Sequence, residues 1–207
     1  MCGICCIVCI SCKSNNNFEC QTFLENSIRP SLSRRGPDYS KCLTIPISRG
    51  TGDGSHFRVC ACTLQMRGSP IVNDAHAQPV TNSARQTLLW NGEVFAGLDV
   101  KESECDTNVL FEALTASRSD DEILAIIKSI KGPYSFVFID GDSLWFGRDY
   151  FGRRSLLWSQ RAQDDGSRSL MLSSVADGVE RDRERGIAWQ EVPAKGLFKI
   201  NLRWLYY

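Results

Sequence analysis

Cys2-Gly3-Ile4-Cys5-Cys6-Ile7-Val8-Cys9-Ile10 follows Met1 as an unbroken run of small or apolar residues rich in Ile, Val and Cys. A run without polar alternation suits a strand buried on both faces, and its place at the start of the chain puts the amino terminus inside the fold. It is too short to span a bilayer, which takes about 20 apolar residues. It also lacks the basic start and small-residue cleavage site of a secretory signal. A cytoplasmic location is therefore expected. The ten cysteines are then expected as reduced thiols, buried or reactive, and not as a disulfide framework.

Outward from this strand, Leu24, Ile28 and Leu32 share one face of a short helical stretch from Phe23 to Leu32, in which Pro30 predicts a kink or an early end. A turn follows at Arg35-Gly36-Pro37-Asp38. Phe57 to Met66 alternates as a half-buried strand, and Gln86 to Asn91 reads as another that ends on Asn91-Gly92. Asp106 stands where the N-cap of a helix carrying Val109, Leu110, Ala113 and Leu114 should be. Ser119 and Glu122 have capping-box spacing for a second helix through Ile123, Ile126, Ile127 and Ile130, stopped by Gly132-Pro133. Beyond it, Tyr134 to Asp140, Ser143 to Gly147, Ser155 to Ser159 and Ser169 to Ser174 read as short strands. They are joined by turns at Gly141-Asp142, Gly152 and Asp164-Asp165-Gly166. Strands, two consecutive helices and further strands predict a layered α+β domain with antiparallel pairing, not a βαβ repeat. Gln160 to Arg168 and Asp177 to Gly186 read as loose stretches.

With 207 residues, 43% hydrophobic and 23% charged, the chain can bury a sizeable core and is expected to be one domain over residues 1–207. Residues after about 200, ending Trp204-Leu205-Tyr206-Tyr207, are expected as an irregular or truncated terminus. Lys plus Arg balance Asp plus Glu at 24 each, which leaves no field for a nucleic-acid backbone or an anionic membrane without a local patch. The basic residues from Arg181 to Arg185 alternate with Asp182 and Glu184 and read as a solvated loop. Neither nucleic acid nor membrane is expected as a partner.

A thiol attacks a carbonyl as its thiolate, so a catalytic cysteine needs a base or a local positive charge. The histidines, His56 and His76, lie in loop-like stretches without special patterning, and His76 beside Gln78-Pro79 reads as a surface residue. An amino-terminal cysteine solves the problem within one residue, because its own α-amino group, with a pKa of about 8, can serve as the base. Cys2 takes that position if Met1 is removed, and Gly3 beside it allows close backbone approach.

An ordered series supports this: Met1-Cys2-Gly3-Ile4, Arg35-Gly36-Pro37-Asp38, Arg67, Gln78-Pro79, Asn91-Gly92-Glu93, Asp106, and Gly147-Arg148-Asp149 with Gly152. Over nearly the whole chain it resembles the class II glutamine amidotransferase domain of the N-terminal nucleophile hydrolases, found at the front of glutamine-dependent asparagine synthetases. The stretches Leu144 to Trp158 and Trp189 to Ala194 are similar to relatives of those synthetases. The resemblance implies an α+β four-layer αββα sandwich of two antiparallel sheets. It implies that Cys2 attacks the side-chain amide of L-glutamine, releasing ammonia for amide formation of the asparagine-synthetase type. It also implies that Asn91 and the N–H of Gly92 hold the oxyanion. Arg67 would then pair with the substrate α-carboxylate, Ile71 would line the same subsite, and Asp106 helped by Glu93 would face the α-ammonium. Arg148-Asp149 reads as a structural element, and no cofactor or metal is implied.

The sequence departs from the pattern where Gly68-Ser69-Pro70-Ile71 follows Arg67 in place of Leu-Ser-Ile, and where Val175 stands for an expected Glu. The Ser-Gly-Gly-x-Asp-Ser pyrophosphate loop of the synthetases does not occur in these 207 residues, so an ammonia-accepting synthetase domain or protein beyond this chain is expected as partner. Two alternatives stay open. One is a catalytically silent amidotransferase-like interaction domain. The other is a Cys-rich metal module built on Cys2, Cys5, Cys6, Cys9 and Cys12, against which a strand would send Cys6 and Cys9 to opposite faces.

Overall fold

Alternation along the opening strand, β1 (Gly3–Ile10), sorts the molecule into layers. Ile4, Cys6, Val8 and Ile10 enter one core, while Cys5, Ile7 and Cys9 enter another. The computed structural model describes residues 1–10, 22–47, 54–65, 77–162 and 166–202. After β1, a π-helical turn (Leu24–Ile28) runs into α1 (Arg29–Ser33), then β2 (Tyr39–Pro46), β3 (His56–Thr63), β4 (Val80–Thr81) and β5 (Thr87–Gly92) follow. Next come α2 (Asp106–Ala116), α3 (Asp120–Ser129), β6 (Tyr134–Asp140), β7 (Ser143–Arg148), β8 (Leu157–Ala162) and β9 (Arg168–Ser173). The described chain closes with α4 (Val179–Glu184), β10 (Gln190–Glu191) and β11 (Leu197–Asn201).

The strands form a six-stranded sheet ordered β10-β8-β9-β1-β3-β2 and a five-stranded sheet ordered β11-β7-β6-β5-β4. Every pairing between these strands is antiparallel. Ile4, Val8 and Val59 of the first sheet meet Leu89, Val137, Ile139 and Leu144 of the second in a core between them. On the outer face of the second sheet, Trp90, Phe136 and Phe138 pack on Leu110 and Leu114 of α2 and on Ile123 and Ile127 of α3. On the outer face of the first, Cys5, Ile7 and Met171 pack on Leu24, Ile28 and Leu32. Three apolar interfaces between four layers make the αββα sandwich. Each large buried side chain contributes about 1.5–3 kcal/mol relative to leaving it exposed.

Local details differ from the sequence reading for identifiable reasons. The helical stretch does not end at Pro30: a π turn hands over to α1, which places Pro30 among the first residues of α1, where its missing N–H is tolerated, and the helix continues to Ser33. Cys105, not Asp106, is the N-cap residue of α2. The Asp106 carboxylate accepts the Val94 N–H at 3.0 Å and the Thr107 hydroxyl at 3.5 Å. Ser119 caps α3 by accepting from Glu122 N at 3.3 Å, but Glu122 reaches back to the Arg118 N–H, at 2.7 Å, and not to that of Ser119. Strand β3 is buried on both faces rather than half-buried, because it lies inside its sheet between two covering layers.

The all-thiol expectation fails at one pair. Cys42 and Cys60 stand directly opposite in the β2–β3 register and are joined by a disulfide. Cys2, Cys5, Cys6, Cys9, Cys62 and Cys105 take part in no disulfide among the described residues. Cys6 and Cys9 do fall on opposite faces of β1, while Cys12 lies outside the described residues. The run Arg181 to Arg185, expected as a solvated loop, and the loose stretch Asp177 to Gly186 around it hold α4, and Asp182 within them is buried. That carboxylate accepts from Asp177 N at 3.1 Å, Gly178 N at 3.4 Å and Trp189 Nε1 at 2.8 Å.

Candidate active site

Cys2 immediately precedes β1, and Asn91 and Gly92 close β5, so the ends of two strands from different sheets meet at one edge of the sandwich. A cavity of about 50 Å³ opens there, lined by Met1, Cys2, Thr63, Leu64, Gln65 and Gln78, the segment Trp90 to Glu93, Cys105, Asp106, Thr107 and Arg154. It thus brings Cys2, Asn91, Gly92, Glu93 and Asp106 together. Arg67 and Ile71 lie outside the described residues.

The Cys2 thiol reaches the carbonyl oxygen of Leu64 at 3.7 Å and is met by Gln78 Nε2 at 3.9 Å. Burial pushes this thiol above its ordinary value of 9.0. Asp106 and Cys105 push the same way, while the charge of the terminal amino group opposes them. Met1, 46% exposed, still covers the α-nitrogen of Cys2 and forms part of the cavity wall.

The edge of β5 shows how an anion could be received. Glu93 N donates to Pro133 O at 3.0 Å, so in the β5–β6 register residues 91 and 93 point their backbone groups at β6. Residues 90, 92 and 94 therefore direct their N–H groups to the opposite edge. The Trp90 N–H donates to Gln78 Oε1 at 2.6 Å and the Val94 N–H to Asp106 Oδ2 at 3.0 Å. The Gly92 N–H lies between those two capped donors, on the cavity side. Gly92 has no room for a side chain, since a Cβ would come within 2.6 Å of the Tyr134 Cβ. Asn91 beside it is fully buried, and neither its Nδ2 nor its Oδ1 has a hydrogen-bond partner. An unpartnered buried amide costs about 1–3 kcal/mol, and Asn91 carries that cost beside the cavity that holds Cys2.

At the other wall, Asp106 is buried in the first turn of α2. The Glu93 carboxylate is already engaged by Arg154 Nη2 at 3.3 Å. The close backbone approach at Gly3 is that of Leu32, whose backbone a Cβ there would strike at 2.7–2.8 Å, so Gly3 lets the end of α1 sit on β1.

Arg148 and Asp149 hold the connection from β7 to β8. Asp149 accepts from Tyr134 N at 3.1 Å, Phe151 N at 3.1 Å and Arg153 N at 3.0 Å. Arg148 donates to the carbonyls of Gly152, Arg154 and Val192. His56 opens β3 instead of lying in a loop, opposite Cys9 at the far end of β1 from Cys2, and His76 lies outside the described residues. Gln78, Cys105 and Arg154 are site residues to which sequence reading gave no role. The Gln78-Pro79 pair in the ordered series was the available signal.

A family model described as "Glutamine amidotransferase domain" matches residues 65–178. Proteins named asparagine synthetase domain-containing protein 1 from Gallus gallus and from Homo sapiens are each 38% identical over 98% of the chain. A Saccharomyces cerevisiae protein named asparagine synthetase domain-containing protein YML096W is 27% identical over 86% of the chain. The chain spans 29% of the length of the chicken and human relatives. Among solved structures, a glutamine phosphoribosylpyrophosphate amidotransferase from B. subtilis superposes with a TM-score of 0.62 at 15% identity. That match covers 96% of this chain and 47% of the other, a likeness of fold alone.

Proposed function

The chain belongs to the family of glutamine amidotransferase domains, and from that premise we propose that it hydrolyses L-glutamine to glutamate and ammonia through a thioester on Cys2. Removal of Met1 frees the α-amino group of Cys2, which takes the thiol proton. The Sγ then adds to the side-chain carboxamide carbon of glutamine. The resulting oxyanion is held by Asn91 Nδ2 and the Gly92 N–H, donors preorganised where negative charge develops. Collapse of the tetrahedral adduct expels ammonia as the proton returns from the α-ammonium. A water molecule then adds to the thioester carbon, releasing glutamate and restoring the thiol.

Arg67 would pair with the α-carboxylate of the substrate, Ile71 would line that subsite, and Asp106 would face the α-ammonium. Glu93, already tied to Arg154, helps Asp106 by fixing that wall. The ammonia is destined for an amide-forming partner of the asparagine-synthetase type. The observation that carries this reading is the Asn91 amide, buried without a partner on the cavity that holds Cys2.

The test combines mass spectrometry of the purified native protein with glutamate release. Loss of Met1, turnover abolished by Cys2→Ala, and covalent labelling of Cys2 by a diazoketone analogue of glutamine are expected. A retained Met1, or equal turnover in both proteins, refutes the proposal and favours a silent interaction domain.

A further inference from the structure

Among the described residues the exposed large hydrophobic side chains are Met1, Phe95, Tyr150 and Phe151. Met1 belongs to the cavity above. The other three, 61%, 82% and 76% exposed, all border one open groove of about 730 Å³. Tyr150 and Phe151 stand edge to face at 5.3 Å, and the Arg153 guanidinium lies 5.5 Å from the centre of the Phe151 ring. These aromatics are held in place: Asp149 accepts the N–H groups of Phe151 and Arg153, and Arg153 Nη2 donates to Gly132 O at 2.8 Å. A fixed aromatic display in water is poor for a free surface and suited to a partner that covers it.

The rim is cationic. Lys128, Lys131 and Lys195 line the groove and take part in none of the ion pairs among the described residues. The carboxylate of the lining, Asp149, is already paired with Arg153. The groove therefore selects a surface bearing apolar side chains and carboxylates. It also adjoins the reaction site. The segment that supplies Asn91, Gly92 and Glu93 continues into Phe95, and the segment that displays Tyr150 and Phe151 continues into Arg154, which pairs with Glu93.

We infer that this groove is the docking face for the ammonia-consuming, synthetase-type domain. The relatives carry 71% of their length (100% less the 29% covered) outside the part this chain matches, and that mass is the occupant. Seated here, it meets the two segments that build the wall of the ammonia-producing cavity. The identity of the occupant rests on the proposed glutamine hydrolysis, whereas the existence of a covered face does not.

The test joins this chain to the portion of the human relative beyond its matched segment and compares amide hydrogen exchange with that of the chain alone. Exchange at residues 95–97 and 149–153 is expected to slow by on the order of tenfold in the fusion. The triple variant Phe95→Ser/Tyr150→Ser/Phe151→Ser, and separately Lys128→Glu/Lys131→Glu/Lys195→Glu, should remove that protection while the isolated chain's glutamine hydrolysis stays unchanged. Should the fusion not fold, the human relative, whole against its matched segment alone, gives the same comparison at the aligned positions. Unchanged exchange at these segments overturns the inference. So does protection that grows with concentration in the isolated chain, which assigns the face to a second copy. Protection in the fusion without any glutamine hydrolysis leaves the face standing and overturns only the identity of its occupant.

Discussion

At the scale of single residues, the polar groups lining the cavity divide into those that have hydrogen-bond partners and those that have none. Gln78 is satisfied on both ends, with its oxygen on the Trp90 N–H and its nitrogen at 3.9 Å from the Cys2 sulfur. Asn91 is satisfied on neither. Asn91→Ala is therefore expected to lower kcat by about 10²–10³-fold, the usual cost of losing one oxyanion donor. It should leave thermal stability unchanged or slightly raised, since no native hydrogen bond of that side chain is lost. Steady-state kinetics and a melting curve on the same protein check both halves, and a large destabilisation would show that the amide is structural. At Gln78, Gln78→Glu keeps the oxygen that accepts from Trp90 but sets a carboxylate beside the thiol. A negative neighbour disfavours the thiolate, so the alkaline limb of Cys2 alkylation by iodoacetamide is expected to move to higher pH. An unmoved limb would mean that Gln78 only props the strand.

At the scale of elements, the turn after β7 is the clearest case of polar groups fixing geometry. Burial alone would raise the Asp149 carboxyl, but Arg153 and the N–H groups of Tyr134 and Phe151 outweigh it and hold it below 3.8. A carboxyl depressed in the folded state contributes stability that is present above the unfolded value and lost as pH falls through the folded one. Asp149→Ala strands several N–H groups at once, so a loss of about 2–3 kcal/mol is expected in urea unfolding at neutral pH. The difference from wild type should shrink below pH 3.8. How far each element was legible follows from its patterning. Strand β6 and helix α3 carry strong apolar periodicity and stand where it puts them. Strand β2 mixes Ser40, Lys41 and Thr44 with apolar residues, and β4 and β10 are two residues each, too short for any period to register. Asp182 lies in a charged run whose composition reads as solvent-exposed, yet tertiary packing turns it inward to accept three N–H groups.

At the scale of the whole molecule, β1 is sealed between two apolar layers and carries thiols on both faces. Burial pushes Cys5 up to about 12 and Cys6 well above 9.0. A thiol raised in the folded state keeps its proton there while the unfolded chain has lost it, so stability falls as pH rises from the unfolded value toward the folded one. Alkaline unfolding is expected to begin above pH 9 and steepen toward about 12, with a slope of about 1.4 kcal/mol per pH unit for each such thiol. Cys5→Ala should flatten that limb in chemical denaturation followed across this range. The layered α+β class was legible because strand, helix-pair and strand order admits few layered solutions, whereas the four-layer form followed only from the family to which the ordered motifs pointed. Sequence alone determined that Cys2 stands at the start of a buried strand and that Asn91-Gly92 ends another, since both facts follow from local composition. Only the tertiary structure decided that those two ends share one cavity, that residues 90, 92 and 94 turn their donors toward it, and that Phe95, Tyr150 and Phe151 share a groove beside it. The physical reason is that the apposition of the sheets, the register of β5 on β6 and the exposure of the aromatics are set by contacts between segments remote in the chain, which local patterning does not encode.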